Sequence, residues 1–357
     1  MVVKLNILEM FSGAGGFTAE LNKHKFNVKY ATDIDVNAEI VYSTNHPEVK
    51  FIRKDVKKID FHLLKSVDMI LAGPPCQGFS LAGLRSRINQ ASINFSVEND
   101  ERNTLTVEIL RAVKTLKPRY VILENVPAME NTRVNINGRN ENITSFYMEE
   151  MEKMGYGIIG PVMINAADLG IQQSRKRLFI LATLDKNVEK TELENKVKDS
   201  FDPDLKDLIW GNIDRYSKLK LGSVPDHVGR IPNIDDLKII QNLKQGETYR
   251  HLLVRNPEIL KDRKHVAYDS ANFGDRFYRL KYREPTRTIV AHLQKDGNSF
   301  IHPLLDRSIS VKEAMIFQGF PEKYRFDISK TQSYKLIGNA VVPRVGKFLV
   351  EYITDTS

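Results

Sequence analysis

The chain has 357 residues, of which 41% are hydrophobic and 27% are charged, as expected for a globular protein of one large domain or two modest ones. Its formal charge of +8 weakly favours a polyanionic partner. The single cysteine excludes an internal disulfide and a cysteine-rich zinc site. No apolar run approaches the roughly 18 residues of a membrane span, and the N-terminus lacks the apolar region of a secretory signal. We therefore expect a cytoplasmic protein without a metal or a membrane partner.

The first predicted elements surround a glycine-rich turn. Residues 4–10 predict a strand, residues 11–17 form the turn, and residues 18–24 predict a helix. A strand, a glycine-rich turn and a helix in this order aim backbone N–H groups at a ligand. Alone, this pattern is a weak signal, because any nucleotide, any nucleoside or merely a tight turn would fit it.

Acidic residues follow the next two predicted strands. The second strand ends at Asp33, where a carboxylate is placed to accept hydrogen bonds from ribose hydroxyls. Ile34 offers an apolar face to an adenine ring. Asp35 is predicted to cap the helix at residues 37–45. Asp55 follows the third strand, and a surface turn would explain that carboxylate equally well.

The only cysteine, Cys76, lies in the stretch Gly73-Pro74-Pro75-Cys76-Gln77-Gly78-Phe79-Ser80, directly after a predicted buried strand at residues 67–72. Two consecutive prolines cannot continue a sheet ladder, so the chain leaves the sheet at Pro74. The thiol therefore sits at the carboxyl end of a strand, where open α/β sheets place their chemistry. A lone cysteine is more often a small buried residue. Core packing, however, does not require turn-forming residues on both sides.

Two further motifs reach the same edge of the predicted sheet. A fifth strand ends in Glu124, which places a carboxylate beside Cys76. Gln173, Arg175 and Arg177 alternate toward one face before the next strand. Two arginines on one face can hold a phosphate or a base edge, or they can form a solvated charge run.

Two stretches are candidates for contact with a polyanion. Residues 81–99 are polar and without a clear period, which indicates a functional loop or a disordered insertion. Residues 261–287 carry eight lysines or arginines against four acidic residues, with aromatic residues interleaved. Basic residues mixed with aromatic residues suit a DNA-facing surface, although a solvated face over a small core has the same composition.

Taken in order, these motifs resemble those of the DNA cytosine-5 methyltransferases. Residues 11–17 look like the adenosylmethionine loop of that family, and residues 73–80 look like its catalytic loop. The other matching motifs are Glu124-Asn125-Val126, Gln173-Ser174-Arg175-Lys176-Arg177, Arg283-Glu284-Pro285-Thr286-Arg287-Thr288-Ile289, Gln318-Gly319-Phe320-Pro321 and Gly338-Asn339-Ala340-Val341-Val342-Pro343.

The resemblance implies an α/β fold with two parts. The larger part is a Rossmann-like, adenosylmethionine-dependent methyltransferase domain with a mixed, mostly parallel sheet, expected at residues 1–184. A smaller, irregular target-recognition domain is expected at residues 185–305. Residues 306–357 are expected to form a hinge and a C-terminal segment that returns to the catalytic domain.

The resemblance also implies the roles of individual residues. Cys76 adds to C6 of a cytosine that is flipped out of the duplex, Glu124 contacts N3 of the base and Arg177 holds its O2 edge. The implied catalytic residues are Cys76, Glu124, Arg177, Arg175 and Gln77. The implied contacts to S-adenosyl-L-methionine are Phe11, Ser12, Gly13, Ala14, Gly15, Gly16, Phe17, Asp33, Ile34, Asp55, Val56, Pro75, Leu105, Asn339 and Ala340. The expected DNA contacts are Ser80, Arg85, Arg87, Arg276, Arg279 and Arg287.

Two other functions are weighed against this one. A related branch of tRNA cytosine-5 methyltransferases shares the catalytic motifs, but it usually carries extra cysteines that are lacking here. A binding module that keeps the fold without activity is disfavoured by the intact Cys76, Glu124 and Arg177. We therefore expect a monomeric enzyme that modifies a specific sequence in double-stranded DNA as part of a restriction–modification system. A cognate restriction endonuclease would act on the same site without direct contact.

Overall fold

The structure, a computed structural model, describes residues 4–75, 105–136, 139–185, 190–200, 232–260, 277–293 and 297–355. Several predicted site residues lie outside these ranges: Cys76, Gln77, Ser80, Arg85, Arg87 and Arg276. The predicted loop at residues 81–99 also lies outside them. None of the helices in the described ranges is long and apolar enough to cross a membrane.

A seven-stranded sheet organises the first half of the chain. The strands of the described ranges are β1 (Leu5–Met10), β2 (Phe26–Asp33), β3 (Lys50–Arg53), β4 (Met69–Ala72), β5 (Tyr120–Asn125), β6 (Arg133–Ile136), β7 (Arg139–Asn142), β8 (Gly157–Asn165) and β9 (Lys176–Thr183). The sheet order is β3-β2-β1-β4-β5-β9-β8, and β6 pairs with β7 in a separate hairpin. Strands β1 to β5 run parallel, whereas β9 is antiparallel to both neighbours. The predicted α/β class and the mixed, mostly parallel sheet are therefore confirmed.

The helices of the described ranges cover both faces of the sheet and continue into the second half. They are α1 (Val36–Asn45), α2 (Leu105–Leu116), α3 (Ile143–Lys153), α4 (Lys190–Asp199), α5 (Ile234–Asn242), α6 (Tyr249–Arg255), α7 (Val311–Phe317), α8 (Lys330–Asn339) and α9 (Pro343–Asp355). Local sequence explains where several of them begin. For example, Ser310 and Glu313 form a capping box at the start of α7, in which each side chain accepts a bond from the other residue's backbone N–H.

The register of the sheet brings the ends of its central strands to one level. Met10 of β1 pairs with Ala72 of β4, and Ala72 pairs with Leu123 of β5. The residues that follow these three strands therefore emerge at the same edge. Strand β9 runs in the opposite direction, with Leu178 opposite Asn125, so its first residues reach this edge as well.

The two faces of the sheet are buried by different parts of the chain. On one face, Ile70 packs in a cluster with Ile109 of α2. On the other face, Ile122 packs in a cluster with Leu349 and Ile353 of α9. Because α9 is the last helix, the end of the chain folds back onto the first half. Burying each such side chain stabilises this arrangement by about 1.5–3 kcal/mol.

The second half contributes a smaller core of its own. Ile240, Leu252, Phe277 and Ile301 belong to one buried cluster in this region. A further cluster joins the hinge region to the first half and contains Ala14, Val41, Ile289, Phe317 and Ile337. The glycine-rich turn therefore rests on residues from the far end of the chain.

The predicted helix at residues 18–24 is wrong, because the segment forms turns. A bond from the backbone N of Ala19 to the carbonyl of Gly15 (2.9 Å) closes a single helical turn. The Asn22 side chain then accepts a bond from the backbone N–H of His24 (2.9 Å) and competes with helix formation. The predicted strands are all present, with ends shifted by at most two residues.

Candidate active site

A pocket of about 480 Å³ opens at the edge where the central strands end. It is lined by the turn after β1, the end of β2, the residues after β4 and the C-terminal segment. Most of the predicted site residues meet in it: Phe11, Ser12, Gly13, Gly16, Phe17, Asp33, Ile34, Asp55, Val56, Pro75, Leu105, Glu124, Arg175, Arg177, Asn339 and Ala340.

The front of the glycine-rich turn faces the pocket in an unusual backbone conformation. Phe11 has a φ of 55° and Gly13 a φ of 52°, both in the left-handed region. For a non-glycine residue such as Phe11 this conformation is strained, and strain of this kind concentrates at ligand sites. A Cβ atom at Gly13 would have nothing within 4 Å, so the space beside it is open.

The back of the same turn is packed against protein. A Cβ atom at Gly16 would lie 2.2 Å from the carbonyl oxygen of Val341, so only glycine permits this approach. Ala14 is fully buried, and its carbonyl accepts a bond from the Tyr324 hydroxyl (2.5 Å). A Cβ atom at Gly15 would lie 2.8 Å from that same hydroxyl. Ala14 and Gly15 were expected to contact a cofactor, but they do not line the pocket and instead support the turn from behind.

The second strand contributes the acidic end of the pocket. Asp33 accepts a bond from the backbone N–H of Gly13 (2.9 Å), which ties β2 to the glycine-rich turn. Ile34 is 68% exposed, which is high for an isoleucine at a pocket wall. Asp35 caps α1 as predicted, accepting from the backbone of Asn37 (2.9 Å). Its other oxygen pairs with Nζ of Lys335 (2.7 Å), a pocket residue that the sequence did not indicate.

The opposite end of the pocket holds a buried ion pair. Nε of Arg177 lies 3.0 Å from Oε1 of Glu124, and both side chains are largely buried. Burial raises the pKa of Glu124, while the charges of Arg177 and Arg175 oppose this shift. Pro75, which directly precedes Cys76 in the chain, lines the same pocket. Cys76 itself lies outside the described residues.

Arg175 connects the pocket to the returning C-terminal segment. Its side chain is only 2% exposed, and its guanidinium donates to the carbonyls of Ile289 (3.0 Å), Gly338 (2.9 Å) and Ala340 (3.0 Å). These bonds satisfy carbonyl groups on two separate segments. Arg175 therefore positions the backbone of these segments, whereas the resemblance implied a catalytic role for it.

Gln173 extends this buried network. Its Nε2 donates to the Phe317 carbonyl (3.1 Å) and to Oε1 of Gln318 (2.8 Å). Nε2 of Gln318 in turn donates to the carbonyl of Ala340 (2.6 Å). Gln173 and Arg175 thus hold the same C-terminal segment, and Arg177 lies beside Glu124 on that side, as the alternation predicted.

Arg279 was expected to contact DNA, and the structure places it elsewhere. It is 6% exposed, and its guanidinium donates to the carbonyls of His302 (3.0 Å) and Ile240 (2.7 Å) and to Oδ1 of Asp306 (2.6 Å). These bonds join α5 to the loop that precedes α7. The structure therefore favours a structural role for Arg279 inside the protein over a DNA contact.

Arg287 occupies a different environment. Its guanidinium carbon lies 4.9 Å from the ring centre of Tyr278 and 5.8 Å from that of Phe300. Its side chain is half-buried, and Nη1 donates weakly to the carbonyl of Ser299 (3.4 Å). The two aromatic rings therefore hold Arg287 in a half-buried position in the second half.

Glu9 is a pocket residue that the sequence analysis missed. It lies in the apolar strand β1 and is 1% exposed. Oε2 accepts bonds from the hydroxyls of Thr18 (2.7 Å) and Tyr42 (2.8 Å). Burial raises the pKa of Glu9 to about 7. The one available signal was a charged residue inside an otherwise buried strand.

The geometry of the pocket agrees with a comparison of the whole chain with models of known protein families. A family model described as C-5 cytosine-specific DNA methylase matches residues 5–355. The chain belongs to this family. It is therefore a DNA cytosine-5 methyltransferase.

Individual members of the family are similar along most of their length. The Type II methyltransferase M.DdeI of Desulfomicrobium norvegicum is 29% identical over 390 residues, covering 98% of this chain and 88% of the relative. The Type II methyltransferase M.FnuDI of Fusobacterium nucleatum is 27% identical over 356 residues, covering 99% and 95%. A solved E. coli structure, described as a prophage-encoded DNA modification methyltransferase, has a TM-score of 0.68 at 22% identity and covers 99% of each chain. That likeness shows the Rossmann-like methyltransferase fold.

Proposed function

We propose that this enzyme transfers a methyl group from S-adenosyl-L-methionine to C5 of a cytosine that is flipped out of a specific duplex sequence. The observation that carries the proposal is the meeting of the glycine-rich turn, the Glu124–Arg177 pair and Pro75, which precedes Cys76 in the chain, in one pocket. The similarity to Type II methyltransferases supports a role as the modification enzyme of a restriction–modification system.

The pocket residues fit the proposed cofactor. The hydroxyl of Ser12 is buried and has no hydrogen-bond partner among the described residues, so a ligand group is needed to satisfy it. Ile34 leaves an apolar surface for an adenine ring, and Asp33 lies next to it as an acceptor for ribose hydroxyls. Bound S-adenosyl-L-methionine would supply a methyl group on a sulfonium, which is already electrophilic.

Cys76 supplies the nucleophile in this proposal. Cytosine C5 is a poor nucleophile until a thiolate adds to C6, which makes the ring enamine-like. The residues before Cys76 leave the sheet at Gly73, whose backbone N–H donates to the carbonyl of Met10 (3.4 Å). Pro74 and Pro75, which follow Gly73, line the pocket. Because C6 lies inside the base stack of a duplex, the cytosine must first be extruded, which costs a few kcal/mol.

Glu124 stabilises the negative charge that develops on the cytosine ring. Burial raises the pKa of Glu124 and so favours its protonated form, which can donate a hydrogen bond or a proton to N3 of the base. Arg177 fixes the orientation of that carboxyl through its Nε. The same guanidinium is close enough to the pocket to hold the O2 edge of the base.

The proposal is tested by incubating the protein with duplex DNA and a donor that carries a labelled methyl group, followed by nucleoside analysis. We expect label in 5-methylcytosine and none with Cys76→Ser, provided that the variant has the wild-type melting temperature. Label in N4-methylcytosine or N6-methyladenine would overturn the proposal. Equal or better transfer to tRNA would favour the tRNA-modifying alternative, and bisulfite sequencing of the methylated DNA identifies the target sequence.

A further inference from the structure

Glu9 lies at the centre of a buried polar cluster behind the glycine-rich turn. Besides the two bonds that Glu9 accepts, the hydroxyls of Thr18 and Tyr42 lie 3.0 Å from each other. The backbone N–H of Phe17 also donates to Glu9. The carboxyl group therefore holds the exit of the turn, at Phe17 and Thr18, against the helix that carries Tyr42.

The cluster has more oxygen–oxygen contacts than hydroxyl protons to fill them. Three oxygen–oxygen contacts join the carboxyl of Glu9 and the hydroxyls of Thr18 and Tyr42, but the two hydroxyls bring only two protons. If Glu9 is ionised, both protons point to it and the 3.0 Å contact between the hydroxyls has none. If Glu9 is protonated, a third proton completes a closed ring. The geometry therefore accommodates a neutral carboxyl group when the pocket holds no cation.

The titratable groups around Glu9 do not supply a compensating positive charge. From α1, Tyr42 has a pKa raised well above its ordinary value by burial, and from the hinge region Tyr324 is raised in the same way, so both are neutral. His46, which contacts Tyr324, has its pKa lowered by burial to about 4 and is also neutral. From β2, the carboxylate of Asp33 opposes ionisation of Glu9.

Cationic side chains do line the same pocket, but they act elsewhere in it. They are Lys54, Lys57, Lys335, Arg175 and Arg177. Lys335 pairs with Asp35, and Arg177 pairs with Glu124. The strongest influences on the pKa of Glu9 are its burial, three hydrogen bonds and Asp33, and no cationic side chain is among them. A cation bound in the pocket would be the partner that this carboxylate lacks.

We infer that Glu9 is a positioning residue that couples binding of the sulfonium donor to loss of a proton from its own carboxyl group. The proton leaves Glu9 for solvent when the positively charged donor binds, and Glu9 regains it when the neutral thioether product occupies the site. The site thereby prefers donor over product through charge as well as shape. This inference rests on the proposed use of S-adenosyl-L-methionine.

The test is calorimetric titration of the full-length protein with S-adenosylmethionine and, as the matched neutral-sulfur ligand, S-adenosylhomocysteine. Repeating each titration in buffers of different ionisation enthalpy gives the number of protons released. Because the pKa of Glu9 is about 7 in the protein without donor, we expect close to one proton to be released per donor bound at pH about 5.5. We also expect donor affinity to rise about tenfold between pH 5.5 and 7, whereas product affinity changes little.

Two variants separate a linked proton from a purely structural role. Glu9→Gln keeps both acceptor bonds but carries no titratable proton, so it should abolish proton release and the pH dependence of donor affinity. Tyr42→Phe removes a bond that favours the ionised form, so it should shift the wild-type profile to higher pH. Normal donor binding by the wild type without proton release, or an unchanged profile in Glu9→Gln, would overturn the inference. Failure of the wild type to bind the donor at all would instead overturn the proposed function.

Discussion

Arg177 and Glu124 form a buried ion pair, with Nε 3.0 Å from Oε1, although they belong to strands far apart in the sequence. The antiparallel pairing of β5 with β9 creates this contact, because the end of one strand meets the start of the other. Burial and the guanidinium act on the pKa of Glu124 in opposite directions, and burial is the larger effect. The Arg177 contact therefore fixes the orientation of the Glu124 carboxyl group, while burial favours its protonated form.

Replacing Glu124 with glutamine should impair methyl transfer without impairing cofactor binding. Glutamine can still donate a hydrogen bond, but it cannot give a proton to N3, and general acid catalysis contributes about 10²–10⁴-fold. We expect a loss of that order in the single-turnover rate. The control is Glu130→Gln, at an exposed glutamate shortly after β5. A Glu124→Gln rate within twofold of the wild type would remove Glu124 from the reaction.

Replacing Gly16 with alanine should disrupt the contact between the glycine-rich turn and the C-terminal segment. The new Cβ atom would lie 2.2 Å from the carbonyl of Val341, so the backbone on one side must shift. Overpacking of this kind costs about 1–3 kcal/mol, and we expect at least tenfold weaker cofactor binding. Gly157→Ala is the matched control. Like Gly16, Gly157 has no left-handed backbone, but its new Cβ atom would lie 3.7 Å from the nearest atom, the carbonyl oxygen of Thr183, which is an ordinary van der Waals distance.

These contacts show what the sequence could and could not predict. The strands and the residues at their ends were predictable, because apolar runs followed by glycine, proline or a carboxylate mark the edge of an α/β sheet. The roles of Ala14 and Gly15 were not, because their burial depends on Tyr324 near the other end of the chain. For the same reason, the local sequence does not distinguish the turn residues that line the pocket, such as Gly13, from those that pack against protein.

The same limit applies to single charged residues. Arg279 lies in a basic and aromatic stretch that is typical of a DNA-facing surface. Its guanidinium is nevertheless buried and donates to carbonyls of two segments that are distant in the sequence. Glu9 was missed because its partners Thr18 and Tyr42 come from two other elements. Composition indicates which residues are charged, and only the tertiary fold decides which of them are inside.

The pH dependence of stability should reveal two buried groups, Glu9 and His46, whose pKa values are shifted in opposite directions. Glu9 has its pKa raised from 4.5 to about 7, so its stabilising effect, present below pH 4.5, is lost as the pH rises through 7. His46 has its pKa lowered from 6.5 to about 4, so its effect, present above pH 6.5, is lost as the pH falls through 4. Each effect is about 3 kcal/mol.

Because these effects oppose each other over nearly the same range, the wild type should show a shallow pH profile between about pH 4.5 and 6.5. Glu9→Gln should make the free energy of unfolding rise with pH, and His46→Gln should make it fall. Urea unfolding at several pH values measures both slopes. Parallel slopes in the two variants would contradict the assignment of these groups.

Arg279 and Arg283 should differ in their effect on DNA binding. Arg279→Met leaves buried carbonyls without donors, which should lower the free energy of unfolding by about 3 kcal/mol and leave the salt dependence of DNA affinity unchanged. Arg283 is exposed in the same stretch, so Arg283→Met should leave stability unchanged and reduce the salt slope by about one. A reduced salt slope in Arg279→Met would restore Arg279 as a phosphate contact.

The central claim is that Cys76 bonds to the target base during methyl transfer. Duplex DNA with 5-fluorocytosine at the target position tests it directly, because fluorine cannot leave as the C5 proton does and the adduct persists. In the presence of S-adenosylmethionine, the wild type should form a protein–DNA adduct that survives denaturation, and mass spectrometry should locate it on Cys76. Cys76→Ser should form none. A wild-type enzyme that methylates ordinary target DNA but gives no such adduct, or an adduct through another residue, would contradict the account.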